Sequence, residues 1–416
     1  MSEGYRTEES DLLRVTEWTS REMLMPCLDG SNLVHVSRAI ASVCGVPDLL
    51  FKPLECSRDK ECTEEISQLI GDPKHLVLLL LDGLGVNAME LHLPPDSFLR
   101  RHVKREIRSV FPATTSAAVT SVLSGRYPSD HGLLGWTIHE KDDLLVYPLP
   151  FAVAPHYDPA KDHGVNSKDF YASLRPGTIG LVPRRKRVIS AYANSDFTMA
   201  LCSSLEQVPA HSFEECLSKL EESWRMEGTN PSFAYVYYNE PDRQEHKYGH
   251  EDEIVKKTII SINDKLEDFW RRNEDIKDKK IIITADHGHL VVSADNKLII
   301  DQEADSELLE CLKHRPTVEP RSPCFHVKTG CREIFAERFR KSRFSSRFAL
   351  LSAQAAEDSE LFGPKPLSNR ARQSLGDFVA LTTDRVALFQ DHPDAFVGFH
   401  GGMTPSEMRI PLIVLD

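Results

Sequence analysis

What the sequence lacks narrows the field quickly. Its longest wholly apolar run, residues 76–81, is far short of the roughly 20 residues that a membrane-spanning helix needs. Residues 1–11 are acidic and polar, so no secretory signal and no membrane association are expected. There is no Asn-x-Ser/Thr acceptor, because Asn230 is followed by Pro231. Nine cysteines are scattered from Cys27 to Cys331 without a Cys-x-x-Cys pair. Such an odd, unpatterned set reads as reduced thiols, and the expected location is cytoplasmic. Positive charge is in deficit: 50 Lys and Arg face 63 Asp and Glu, for a net charge of −13. That argues against general affinity for nucleic acid duplexes or anionic lipid. Two basic runs, 184–187 and 338–347, interrupt the balance, and both are read as solvated faces, since neither carries interleaved base-stacking aromatics. Low-complexity tracts and internal repeats are absent as well.

What is present is a globular chain of 416 residues, 41% hydrophobic and 27% charged, long enough for one large domain with insertions or for two. Residues 1–75 read as a mainly helical extension whose clearest piece is 34–43, ended by Gly45 and Pro47. From His75 the pattern changes to short continuous apolar runs: 75–81, 187–191, 232–238, 280–285 and 409–415. Each looks like a strand buried on both faces. Helical patterns at 212–226 and 251–272 fall between them. Buried strands alternating with helices imply an α/β protein with a mostly parallel central sheet and helices on both faces. Residues from about 290 to 398 are more polar and less regular, with a helical stretch at 331–342 and a strand-like one at 377–381. An unstructured loop of that length is improbable, so an inserted cap subdomain is expected there. A smaller excursion is expected at 143–183.

Ligands of open α/β sheets sit outside the carboxyl ends of the strands, so the polar residues just after each strand are the ones to examine. Asp82 follows the first. Asn239-Glu-Pro-Asp242-Arg-Gln-Glu-His246 follows 232–238, Asp286-His287-Gly288-His289 follows 280–285, and His400-Gly401-Gly402 precedes the last strand. Taken singly, Asp82 reads as a turn or cap residue and His400 as a hydrogen-bonded loop histidine. Jointly, Asp and neutral His at one rim are a ligand set for zinc or a similar divalent ion. A further segment, Phe111-Pro-Ala-Thr114-Thr115 to Gly125, puts a threonine at the start of a helix of small residues, where backbone N–H groups and the helix dipole attract phosphate. Alone, Thr114 or Thr115 would be read as a simple helix cap.

The ordered set Leu81-Asp82-Gly83, Phe111-Pro-Ala-Thr-Thr115 to Gly125-Arg-Tyr-Pro, His131-Gly132, Pro241-Asp242-x-x-x-His246, Ala285-Asp286-His287-Gly288 and His400-Gly401 resembles the alkaline phosphatase superfamily. Within it, the set is most similar to the nucleotide pyrophosphatase/phosphodiesterase (type I phosphodiesterase) family. The resemblance implies an alkaline-phosphatase-like fold over 76–416. It also implies two divalent ions, zinc as the family expectation with manganese tolerating the same ligands. One would be held by Asp242, His246 and His400, the other by Asp82, Asp286, His287 and the hydroxyl of Thr115. It further implies that Thr115 is the nucleophile that becomes phosphorylated, on a nucleotide or other small phosphodiester substrate. Many family members carry Asn three residues after the nucleophile, where this chain has Ala118, so monoesters, phosphonates or a phosphomutase reaction stay open. So does a non-catalytic interaction module retaining the fold. His131 and His289 are read as structural or as supports behind the metal ligands, not as ligands themselves, Glu245 as a spacer, and Tyr237, Tyr238 and Trp136 as core packing. The glycine pattern Gly83-Leu-Gly85-Val-Asn-Ala88 mimics a dinucleotide site but lacks the acidic residue that should end the next strand.

Overall fold

The computed structural model describes residues 7–26, 30–47, 57–140, 144–153, 163–174, 177–390 and 395–416. Seven strands form the central sheet in the spatial order Val103–Arg108, Arg409–Leu415, Lys279–Thr284, His75–Leu81, Ser232–Tyr238, Arg185–Ser190 and Glu206–Pro209. Neighbours are parallel except at Arg409–Leu415, which runs antiparallel to both strands beside it. The fold is therefore α/β with a mostly parallel sheet, as the apolar runs predict. His75–Leu81 is central and buried at every position, which is why it reads as an unbroken apolar run instead of an alternating one. The two edge strands escaped sequence reading for the opposite reason. Val103–Arg108 and Glu206–Pro209 are polar and half-exposed, and polar edges discourage pairing with other chains.

Helices pack in two groups. Leu33–Val43 lies on Ser57–Ile70 and Thr115–Ser124, while Phe213–Glu227 packs on Glu253–Arg272, which also touches Val86–His92 and Phe98–Arg101. The first group shows how residues before 75 are used. Leu33, Val34, Val36, Ala39 and Ile40 are fully buried and share one apolar cluster with the strands. Asn32 caps that helix, accepting from the amides of Val34 and His35. The earlier helix, Glu9–Arg21, serves a different region: it packs on Ala349–Ser352, and Arg14 donates to the carbonyls of Ser345 (2.7 Å), Ser346 (2.7 Å) and Phe348 (3.1 Å).

Residues 290–398 carry a four-stranded antiparallel sheet, Thr317–Glu319, Ser322–Phe325, Phe378–Leu381 and Ala349–Ser352 in sequence of pairing. Phe325, Phe335, Phe339, Phe344, Phe348 and Phe378 give it a core of its own. Its two ends meet in a short antiparallel neck, Leu290 opposite Phe399 and Val291 opposite Gly398. The excursion after residue 137 contains a small sheet of Ile138–His139, Leu145–Tyr147 and Ala152–Val153. Parts of the expected 143–183 excursion lie outside the described residues. Among the described residues, no helix is long and apolar enough to cross a membrane.

Candidate metal centre and phosphoryl site

Strand register builds the site. Leu81 pairs with Tyr238, and the ladder continues past both strand ends. The Asp82 amide donates to Tyr238 O (3.0 Å) and the Asp242 amide donates to Asp82 O (3.0 Å). Between them, Gly83 has φ +78°, and a Cβ there would lie 2.8 Å from Asp242 Cα, so only glycine lets the two aspartates approach this closely. On the other side Leu80 pairs with Thr284, which carries Asp286 to the same rim. Its Oδ1 accepts from the amides of Gly83 (3.1 Å) and His287 (3.0 Å). Thr115 is the first residue of the helix Thr115–Ser124, which ends at Gly125 in a left-handed conformation.

Two ligand groups result. In one, Asp82, Asp286 and His287 bring ligand atoms together: His287 Nε2 is 3.5 Å from Asp82 Oδ1, 3.3 Å from Asp286 Oδ2 and 3.1 Å from Thr115 Oγ1. In the other, Asp242 Oδ1 is 2.7 Å from His289 Nε2, 3.4 Å from His246 Nε2 and 3.9 Å from His400 Nε2. The His246 and His400 Nε2 atoms are 3.2 Å apart. Each of those rings is fixed from behind: His246 Nδ1 donates to Gly398 O (2.9 Å) and His400 Nδ1 to Ala113 O (3.1 Å). A ring that donates from Nδ1 presents its Nε2 lone pair, the arrangement of a metal-ligating imidazole.

Electrostatics point the same way. Asp82 and Asp286 are buried, and Asp82 Oδ1 and Asp286 Oδ2 have no hydrogen-bond partner. Burial, then the charges of Asp286 and Asp242, push the Asp82 carboxyl far above its ordinary range, against the hydroxyl of Tyr237 that donates to it. Burial also works against ionised Asp242, but His246, His289 and His287 outweigh it and hold that carboxyl below its usual range. His400 is pushed down by burial and then by the other three histidines. His289 falls to about 3, burial outweighing Asp242. Three aspartates, two of them buried, with no Lys or Arg pairing with them among the described residues, are short of positive charge. Divalent cations fit that set.

Comparison with known proteins agrees with this arrangement. The family model "Type I phosphodiesterase / nucleotide pyrophosphatase" matches residues 76–403. The chain belongs to this family. Over 252 residues it is 25% identical to human bis(5'-adenosyl)-triphosphatase ENPP4, covering 56% of this chain and 51% of that protein. The bovine counterpart is 24% identical over 243 residues, covering 55% and 50%. The chain thus spans about half the length of the curated relatives it matches. Human ectonucleotide pyrophosphatase/phosphodiesterase 5 superposes with a TM-score of 0.60 at 15% identity, over 81% of this chain and 87% of that one. An inactive Thr-to-Ala variant of the murine protein in complex with AMP superposes at 0.56, with 14% identity and the same coverage. These likenesses establish the alkaline-phosphatase-like fold.

For this phosphodiesterase-family chain, all seven residues singled out from the sequence (Asp82, Thr115, Asp242, His246, Asp286, His287 and His400) stand together at the rim. Four further residues join them. His289, read as structural or as a support behind the ligands, has its Nε2 2.7 Å from Asp242 Oδ1. The i, i+2 spacing from His287 along extended chain was the available signal. Glu245, taken for a spacer, is fully buried 3.6 Å from His289, and burial followed by the charge of Asp242 raises its carboxyl far above the usual range. Tyr237 was assigned to core packing, but its hydroxyl bonds Asp82. Glu319 comes from the cap: its Oε1 accepts from Thr114 Oγ1 (2.6 Å) and the Trp136 amide (2.8 Å). Nothing in a lone Glu in a hairpin could have flagged it. Thr114 occupies the cap position of its helix, yet its side chain makes no capping bond, so the simple-cap reading fails for it. Trp136, also expected in the core, is 47% exposed and stands at the mouth with Phe396. Both line two cavities, of about 410 and 440 Å³, that flank Thr115, Asp242 and His246.

Proposed function

We propose that the protein is a two-metal hydrolase of phosphodiester or pyrophosphate bonds, with Thr115 as the nucleophile. The observation that carries this reading is the position of Thr115 Oγ1. It lies at a helix start, 3.1 Å from His287 Nε2, and lines one cavity with Asp242, His246 and His400. Asp82, Asp286, His287 and Thr115 would hold one ion, and Asp242, His246 and His400, with His289 beside them, the other. Zinc suits these ligands best, and manganese tolerates them. Bound there, the ions would lower the pKa of the Thr115 hydroxyl and offset charge on the attacking and leaving oxygens.

The protein's own groups do the rest. Free amides at the start of Thr115–Ser124 attract the phosphoryl oxygens. Thr115 Oγ attacks phosphorus in line, the ester oxygen departs on the opposite side, and a phosphorylated Thr115 is left for water to hydrolyse. Tyr237 keeps Asp82 oriented, and the carbonyls of Gly398 and Ala113 fix the tautomers of His246 and His400.

The apolar cavity beside Thr115, walled by Leu149, Val188, Tyr192, Phe197 and Tyr237, has the chemistry to take a nucleobase, which fits a nucleotide substrate. We assign substrate selection jointly to this cavity and to the cap at about 290–398, which lines the second cavity, and support of the core and cap to residues 1–75. Seven described cysteines are free thiols, six of them buried, which supports a reducing, cytoplasmic setting; cell fractionation tests it. Purified protein with zinc should hydrolyse a nitrophenyl phosphodiester faster than the monoester and yield phosphothreonine on acid quench. A reversed preference would favour the monoesterase reading, and absence of bound zinc at saturation would favour a non-catalytic role.

A further inference from the structure

Outside that rim, three histidines from distant segments meet where the cap touches the excursion after residue 137. His139 ends the strand Ile138–His139, His314 precedes Thr317–Glu319, and His326 directly follows Ser322–Phe325. One ring nitrogen from each lies within 4.8 Å of the other two. Ring centroids are 5.0 Å apart for His139–His314 and His139–His326, and 4.4 Å for His314–His326.

Two of the rings, His326 and His314, are oriented as ligands. His326 is 6% exposed; its Nε2 donates to Gln373 O (2.8 Å), which leaves a lone pair on Nδ1, and that atom has no hydrogen-bond partner. His314 is held likewise, Nδ1 donating to Arg315 O (2.8 Å), so its lone pair is on Nε2. A backbone carbonyl behind each imidazole is the usual support of a metal ligand. The chain also clears space for the ring. Gly376, at φ +72°, would place a Cβ 2.7 Å from His326 Cδ2. The buried, unpaired lone pair of His326 is costly without a partner, and a cation between the three rings would supply one.

We propose that His139, His314 and His326 form a separate divalent transition-metal site, suited to Zn2+ with water completing the shell, that pins the cap to the 138–153 segment. Zinc–nitrogen bonds of about 2.0–2.1 Å require the rings to close together on binding. The site adjoins the bridge between Thr137 and Val318, both of which line the cavity beside Thr115, so occupancy would stiffen that wall.

The test separates this site from the rim. Full-length Asp242→Asn/Asp286→Asn protein, stripped with chelator, is titrated with Zn2+ alone and its melting temperature followed. About one equivalent should bind and raise the melting temperature. Co2+ in its place should give a visible absorption band that disappears when His314→Ala is added. Adding half-exposed His139→Gln should weaken zinc at least tenfold. Zinc binding unchanged by both histidine substitutions, or no zinc bound by the Asp242→Asn/Asp286→Asn protein, would overturn the assignment. Should His314→Ala fail to fold, His139→Gln and the parent titration still decide. A wild-type protein that binds one equivalent, not three, would refute the rim centre while leaving this one standing.

Discussion

At the rim of the sheet, Asp82, Asp242 and Asp286 each stand within four residues of a strand end; hydrogen bonds continuing the strand ladder fix the backbones of Asp82 and Asp242, and the Gly83 amide holds the Asp286 carboxylate. In the cap, Glu319 and His326 reach their positions through an antiparallel hairpin that has its own phenylalanine core. Position at the rim follows from register in one rigid sheet, whereas position in the cap depends on how two separately cored bodies meet. A shared apolar cluster joins them, with Phe111, Met403 and Met408 against Val318, Leu351 and Val379 of the cap, and so does Arg321, fully buried, whose guanidinium binds both oxygens of Glu407 at 3.0 Å and the carbonyls of Asp384 and Val386. Glu407 in turn accepts from the amides of Gly402 (2.8 Å) and Thr404 (3.2 Å), just after His400.

Substitutions can test that contrast. The largest effect is expected at the rim. Thr115→Ala should lower turnover of a nitrophenyl diester by on the order of 10³-fold or more, with circular dichroism and zinc content little changed. Substantial turnover in the variant would contradict a threonine nucleophile.

Next comes the junction. Arg321→Met leaves Glu407 buried without its partner and should cost about 3–5 kcal/mol in chemical denaturation. Burial favours the protonated form of Glu407, but Arg321, Thr404 and the Gly402 amide outweigh it and lower its pKa. The pair's contribution is then present above the ordinary glutamate value of 4.5 and lost as pH falls through the lowered value of the folded state. The stability gap between wild type and variant should shrink on acidification, and a gap constant down to strongly acidic pH would argue against the ion pair.

A smaller change is expected behind the ligands. Tyr237→Phe deletes one hydroxyl and should weaken zinc about tenfold in chelator competition; unaltered affinity would remove Tyr237 from the centre. The smallest lies at the mouth. Trp136→Ala should alter stability by no more than about 0.5 kcal/mol and raise KM for a nitrophenyl nucleotide roughly threefold to tenfold. An effect on kcat instead would mean that Trp136 positions the reacting group.

Much of the rim was legible because its signals are local. An apolar run followed by Asp, or by Asp-His, states both a buried strand and what stands at its end. The helix from Thr115 was legible through its glycine stop. Ligand groupings were less so. His289 looks like a residue beyond the motif until extended chain turns it back toward Asp242, and Tyr237 alternates on a strand in the way any packed aromatic does. Glu319, Arg321 and the cluster of His139, His314 and His326 carry no spacing signal at all, since their partners are tens to hundreds of residues away.

The sequence by itself determined the parallel sheet, the strand ends that bear carboxylate and imidazole, and the helix start that bears a hydroxyl. Each depends on a repeat of two or 3.6 residues, or on neighbours in the chain. Tertiary structure decided how those residues divide into two cation-binding groups, that Glu9–Arg21 braces the cap while Leu33–Val43 enters the main core, and which cap side chains face the cavities. Those outcomes rest on packing between segments whose meeting has no local pattern, because it is set by the shapes of two cores and not by the periodicity of either.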